Sequence, residues 1–144
     1  MRVAATGSFN RRPRLIESNA ELRHTAVPLK AEDGERMITP LPIFHMNAMA
    51  YSLMAMVTVG GCLIALDRFH PRSWWQSVRD SRATCLHYLG VMPSILMKAE
   101  PTEQDKAHNV RFGFGAGIDP KLHGPFEERF GIPLIEGWAM TETG

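Results

Sequence analysis

At 144 residues, 44% of them hydrophobic and 22% charged, the chain has the composition of an ordinary globular protein, long enough for one modest core and too apolar for disorder. Sixteen Lys and Arg against fifteen Asp and Glu leave a formal net charge of +1. With no dense basic stripe carrying interleaved aromatics, this argues against nucleic acid as a partner.

Ser18-Asn-Ala-Glu21 is a capping box and predicts a helix that Pro28 ends. Arg36 to Leu41 reads as a strand entering the Pro40/Pro42 pair. Met46 to Val59 reads as a buried helix, Cys62 to Leu66 as a strand, and Pro71 to Arg82 as a helix with proline at its first position. Thr84 to Leu89 is a strand, Val91 to Ala99 a short helix, the polar stretch Glu100 to Asn109 a surface loop, and Val110 to Phe114 another strand. Asp119 or Pro120 opens a helix to Phe130 that Gly131 stops, and Pro133 to Glu136 is the final strand. Strand and helix alternating in this way predict an α/β fold, a mostly parallel sheet with flanking helices, with residues 1–144 as one structural unit.

The run from Met46 to Leu66 carries no charged side chain and approaches the length that spans a bilayer. Gly60-Gly61 and the switch to the β-type CLIAL favour a buried helix followed by a buried strand, and no membrane span is expected. Cys62 and Cys85 sit in apolar runs where free cysteine behaves as a small hydrophobe, which suits a reducing, cytoplasmic compartment. MRVAATGSFNRRPRL has no apolar stretch of the length a secretory signal needs.

Two segments carry residue types suited to a nucleotide. Gly137-Trp-Ala-Met-Thr-Glu-Thr143 follows the strand PLIE. There Trp138 can stack on a base, Thr141 can hydrogen-bond a phosphate oxygen, and Glu142 can hold the magnesium that accompanies phosphates. The same residues also read as a capped turn, with Thr141 or Thr143 bonding local backbone and Trp138 in the core. Gly113-Phe-Gly-Ala-Gly-Ile-Asp119 follows Val110-Arg-Phe, and its glycines either admit a flat or phosphorylated ligand or make a tight turn at positive φ. The third glycine of a dinucleotide fingerprint is missing. In a parallel sheet, neighbouring strand ends bring two such loops together as walls of one pocket.

VRFGFGAGIDPKL followed by PLIEGWAMTETG resembles the adenine-binding loop and the Tyr-Gly-x-Thr-Glu-type motif of the adenylate-forming (AMP-binding) superfamily, and ITPLPIFHMNA upstream resembles its Pro-x-x-His segment. The three occur in the family's order, and the chain is closest in type to acyl-CoA synthetases such as the crotonobetaine/carnitine-CoA ligases. The resemblance implies part of the large N-terminal domain of an acid-thiol ligase that uses ATP, Mg2+ and CoA. A carboxylate attacks the α-phosphate of ATP to give acyl-adenylate and pyrophosphate, and the CoA thiol then displaces AMP. By the same resemblance Gly115, Ala116 and Gly117 line the adenine. Trp138 stands for the family's tyrosine, Ala139 for its glycine and Met140 at its variable position. Thr141 binds phosphate, Glu142 binds magnesium, and His45 borders the acyl pocket and the reacting carboxylate. His45 also reads as a partly buried ring bonded to a backbone carbonyl after the proline kink.

Departures from the family's pattern bear on activity. Residues 1–17 read as a degenerate phosphate loop, since Thr6-Gly-Ser8 and Arg12-Pro-Arg14 lack its lysine and closing glycine. The ribose-binding aspartate, the hinge and the C-terminal domain with its lysine are placed by the family beyond Gly144. The chain alone is therefore expected not to complete the reaction, the alternative being a catalytically inactive fragment or nucleotide-binding module. Uncovered sheet edges predict self-association. A metal site from Cys62, Cys85 and His87 is disfavoured because strand alternation alone puts Cys85 and His87 on one face and no Cys-x-x-Cys occurs. A Ser/His/Asp hydrolase is disfavoured by the missing Gly-x-Ser-x-Gly elbow.

Overall fold

The computed structural model describes residues 34–137. The helix expected from Ser18, the degenerate phosphate loop and Trp138 to Gly144 lie outside the described residues. Within them five strands form one sheet: β1 (Arg36–Thr39), β2 (Cys62–Ala65), β3 (Cys85–Leu89), β4 (Phe112–Ala116) and β5 (Leu134–Glu136). All pairings are parallel, and the spatial order is β2-β1-β3-β4-β5.

That order fixes where the helices go. From β1 the chain steps outward to β2 through α1 (residues 46–58). It then returns past β1 to β3 through α2 (Trp74–Asp80) and continues through α3 (Val91–Leu96) and α4 (Pro120–Phe130) to β4 and β5. Parallel crossovers are right-handed, so reversing the direction of travel puts the next helices on the opposite face of the sheet. Strand alternation supplies each face with side chains. On one face Met37, Cys85, Phe112 and Phe114 pack beneath Ala55 and Met56 of α1. On the other, Ile38, Leu86, Tyr88 and Leu134 pack beneath Trp74, Val78, Met92, Leu96, Phe126 and Phe130. Each large apolar side chain fully buried there contributes roughly 1.5–3 kcal/mol.

Local chemistry sets the element ends. Asp119 caps α4, its carboxylate accepting from Lys121 N at 2.9 Å, with Pro120 at the first helical position. Gly131 stops that helix in the left-handed conformation at φ 69°. Residues 46–66 divide as expected into a helix and a strand, broken at Gly60 (φ 64°). Among the described residues no helix is long and apolar enough to cross a membrane.

Several elements differ from the sequence reading. Pro71 to Ser73 form a turn, and α2 begins only at Trp74, so the proline precedes the helix instead of opening it. Helix α3 ends at Leu96 rather than Ala99, and the expected loop after Glu100 contains a 3-10 turn, Glu103–Lys106. Strand β4 lies two residues later than expected, because Phe112 and Phe114 are the inward pair that fills the core. The middle of α1, Met49–Met54, is π-helical between α-helical ends.

Candidate functional site

In open parallel sheets ligands bind beyond the carboxyl ends of the strands, at the crevice where strand order reverses. Here that crevice lies between β1 and β3, with β4 and β5 extending one wall. The segments that reach it are Pro40 to Met46 after β1, Leu89-Gly90 after β3, Gly117 after β4 and Gly137 after β5.

The β4 end emerges from the core by degrees: Gly115 is buried, Ala116 half-buried and Gly117 exposed. Gly113 and Gly115 are both strand residues, Gly115 lying beyond the expected end of the strand at Phe114; a Cβ on Gly113 would lie 2.7 Å from the Leu134 side chain, and Gly115 is held to glycine by Tyr88. A Cβ on Gly115 would lie 2.3 Å from the Tyr88 carbonyl oxygen and 2.6 Å from its ring. Gly117 instead meets the turn requirement, with φ at 78° and open space where a side chain would be.

Three hydrogen bonds tie this tip to its neighbours. Gly90 N donates to Ala116 O at 2.9 Å, Gly137 N donates to Gly115 O at 2.8 Å, and Gly117 N donates to Glu136 Oε2 at 2.9 Å. The other carboxylate oxygen of Glu136 accepts from the Tyr88 hydroxyl at 2.5 Å. Burial first, then that hydrogen bond and the charge of Glu136, hold the Tyr88 phenol far above its ordinary range, so it stays a donor. Tyr88 thus supports Gly115 with its ring and Gly117 through Glu136.

The preceding residue, His87, points to the opposite face and is fully buried. Its Nε2 lies 2.7 Å from Asn47 Oδ1 in the first turn of α1. Its Nδ1 lies 2.6 Å from Ser52 Oγ in the π-helical turn and 3.2 Å from Thr39 Oγ1 at the end of β1. Asn47 Oδ1 can only accept, which assigns the imidazole proton to Nε2 and leaves Nδ1 to accept from the hydroxyls. Burial lowers the His87 pKa to about 4, keeping the ring neutral. Thr39 Oγ1 also accepts from Leu41 N at 3.2 Å, extending the chain into the proline segment. The sequence reading gave His87 no role beyond a disfavoured metal ligand. Among the described residues no cluster of three His, Cys, Asp or Glu gathers that could hold a metal.

His45 is the N-terminal flanking residue of α1, exposed, with its ring 4.8 Å from that of Phe44. The partly buried ring bonded to a carbonyl is not what forms; His45 faces out at the carboxyl edge. Phe44, Met46 and Met49 beside it are also exposed. β3 alone separates β1 from β4, so those two strands run roughly 10 Å apart by ordinary strand spacing, and the His45 segment and the Gly115–Gly117 tip leave the sheet at the same end. Trp138, Ala139, Met140, Thr141 and Glu142 lie outside the described residues.

Away from this edge, Glu35 is buried at the start of β1, where it accepts from Thr84 and pairs with Arg111. Burial and then the Glu35 charge push the Cys85 thiol up to about 12, leaving it unreactive. A groove of about 330 Å³ lined by Trp75, Arg79 and Arg129 shares none of the edge residues. Its Arg129 is engaged by Asp105 at 2.6 Å and by the carbonyls of Met97, Ala99 and Glu100, so that charge serves the fold.

The family model of the AMP-binding enzymes matches residues 15–144. The chain belongs to the AMP-binding enzyme family. It is 30% identical over 115 residues, 79% of its length, to a very long-chain fatty acid transport protein of Cochliobolus heterostrophus. It is 26% identical over 143 residues to a crotonobetaine/carnitine-CoA ligase of Escherichia coli. The match covers 18% of the first relative and 28% of the second, so the chain spans only a part of each. The fold is that of the N-terminal domain of FACL13 from Mycobacterium tuberculosis, at TM-score 0.72 and 19% identity over 85% of this chain and 32% of that one. It is equally that of the Bacillus subtilis o-succinylbenzoate-CoA synthetase solved with ATP and magnesium, at TM-score 0.69 and 21% identity over 85% and 25%.

Of this AMP-binding chain's sequence-predicted residues, the described structure brings Gly115, Ala116, Gly117 and His45 to one edge of one sheet. What sequence reasoning missed are the supports, Tyr88, Glu136, His87 and Asn47. The signal was the alternation in CLHYL, two polar-tipped residues facing opposite sides of a central strand, which only a known topology turns into two separate contacts.

Proposed function

We propose that this chain forms part of the substrate edge of an ATP-dependent acyl-CoA ligase, a cytoplasmic enzyme that activates a carboxylic acid as its acyl-adenylate and passes the acyl group to CoA. The observation that carries the reading is the clasped tip Gly115–Gly117, held by Tyr88 and Glu136 one strand away from His45 at the crevice. Open space at Gly117 leaves room for a planar base against the backbone. Gly137, bonded to Gly115, leads directly into Trp138, the stacking ring of this proposal.

In such a reaction the protein contributes positioning and charge neutralisation more than covalent chemistry. The β4 tip orients the adenine and Thr141 the phosphate. His45 stands where the acid's carboxylate meets the α-phosphorus. In this reading Glu142 would hold magnesium, which when bound would supply neutralisation of the phosphate charge.

Calorimetric titration with a non-hydrolysable acyl-adenylate, with Trp138→Ala beside the wild type, tests the proposal. Saturable binding lost on substitution is the expected result. A folded chain that binds no adenylate would overturn it.

A further inference from the structure

We infer that Asn47, oriented by His87, offers its side-chain amide N–H groups to an oxygen of the acid substrate; this rests on the ligase reading above and adds a binding residue to it. Asn47 Oδ1 is turned inward and taken by His87 Nε2–H at 2.7 Å. An amide is planar with its oxygen and nitrogen on opposite branches, so committing the oxygen inward turns the NH2 group away from His87. Asn47 is half-buried, and among the described residues this is its only side-chain hydrogen bond. The result is a fixed pair of donors that no acceptor among the described residues takes up, which selects a ligand rich in oxygen lone pairs.

Its surroundings narrow the ligand further. Asn47 lies two residues after His45, at the crevice end of α1, and its sequence neighbours Phe44, Met46 and Met49 are 80, 40 and 39% exposed. Donors beside exposed apolar side chains suit an amphiphile with an anionic head and a hydrocarbon body. No lysine or arginine lies between Glu35 and Arg68 except Arg36, at the far end of β1, so this segment offers the head the neutral amide of Asn47 and no Lys or Arg charge. A neutral amide is a directional contact to one oxygen, and it leaves the carboxylate its nucleophilic character.

His87 is in this reading a positioning residue. Three contacts make its hold rigid: Asn47 on one nitrogen, Ser52 and Thr39 on the other. Ser52 sits in the π-helical turn, the irregular stretch of α1, so the same ring touches both the amide and that turn.

The test uses the full chain, sodium octanoate as the acid probe and AMP as a separate nucleotide probe, followed by 15N NMR and calorimetry. Octanoate is expected to shift the Asn47 side-chain NH2 resonances and to leave His87 in its Nε2–H tautomer. Asn47→Ala is expected to weaken octanoate on the order of tenfold, as for a hydrogen bond to a charged group, with AMP affinity unchanged. His87→Gln, which can still donate to Asn47, is expected to retain octanoate affinity where His87→Leu loses it without changing that for AMP. Unmoved Asn47 resonances, octanoate affinity unaltered in Asn47→Ala, or no octanoate binding overturns the inference whether or not AMP binds. Octanoate binding through Asn47 with no AMP binding would overturn the nucleotide part of the ligase reading and leave this inference standing.

Discussion

Acidification should destabilise the fold through His87. The ring titrates at about 4 in the folded chain against an ordinary value of 6.5, with burial as the cause. Below pH 6.5 the unfolded chain takes up a proton that the folded chain refuses, so stability is fully present at neutral pH and falls as pH drops toward 4. A difference of about 2.5 pKa units at 1.36 kcal/mol each makes the total roughly 3 kcal/mol, of which about 2 kcal/mol is already lost by pH 5. The ring's partners Asn47, Ser52 and Thr39 carry no charge that could offset the loss. Urea unfolding followed by fluorescence of the buried Trp74 measures it at pH 7 and pH 5 in the wild type and in His87→Gln. His108, whose pKa burial also lowers, is common to both chains and cancels in the difference. Equal losses in the two chains would refute the reasoning.

Tyr88→Phe removes the hydroxyl that holds Glu136 and should cost about 1–3 kcal/mol of stability, with several-fold weaker adenylate binding, read by thermal melts and calorimetry. Gly115→Ala drives a methyl group into the Tyr88 carbonyl and should lower stability by about 1–3 kcal/mol, whereas Gly124→Ala in α4, where a Cβ meets nothing within 4 Å, should raise it by about 0.5–1 kcal/mol. Iodoacetamide at pH 8 should label the half-buried Cys62 and spare the buried Cys85, in which only about one thiol in ten thousand is ionised. Mass spectrometry after a short exposure distinguishes the two, and equal labelling would contradict the burial of Cys85.

The parallel α/β class was legible because each strand is a short apolar run with turn residues on both sides, as in RMIT before Pro40 and CLIA after Gly60-Gly61. The Gly131 stop and the Asp119-Pro120 start were legible because capping is local chemistry. The placement of β4 was not, since Val110 is as β-prone as Phe112, and only packing of Phe112 and Phe114 under α1 selects the later stretch. The π-helical turn was hidden for a similar reason: nothing in MAYSLM marks it, and the Ser52 contact to His87 spans 35 residues. That Gly115 to Gly117 and His45 come to the carboxyl edge of the sheet was readable from their place after strand-like runs, whereas the side chains that hold this edge were not, because their partners are 19 to 48 residues away.

Adjacent residues of β3 serve two different supports, His87 holding Asn47 at the start of α1 and Tyr88 holding the Gly115–Gly117 tip through its ring and Glu136. They are joined by one peptide unit, so the geometry of one side is transmitted to the other over a single Cα step. A slip of β3 by one residue against β1 and β4 would exchange the faces of both side chains and disable both sides together. Neither half of the edge can therefore drift in register alone, and the alignment of the α1 start with the β4 tip is inherited from the pairing of one central strand.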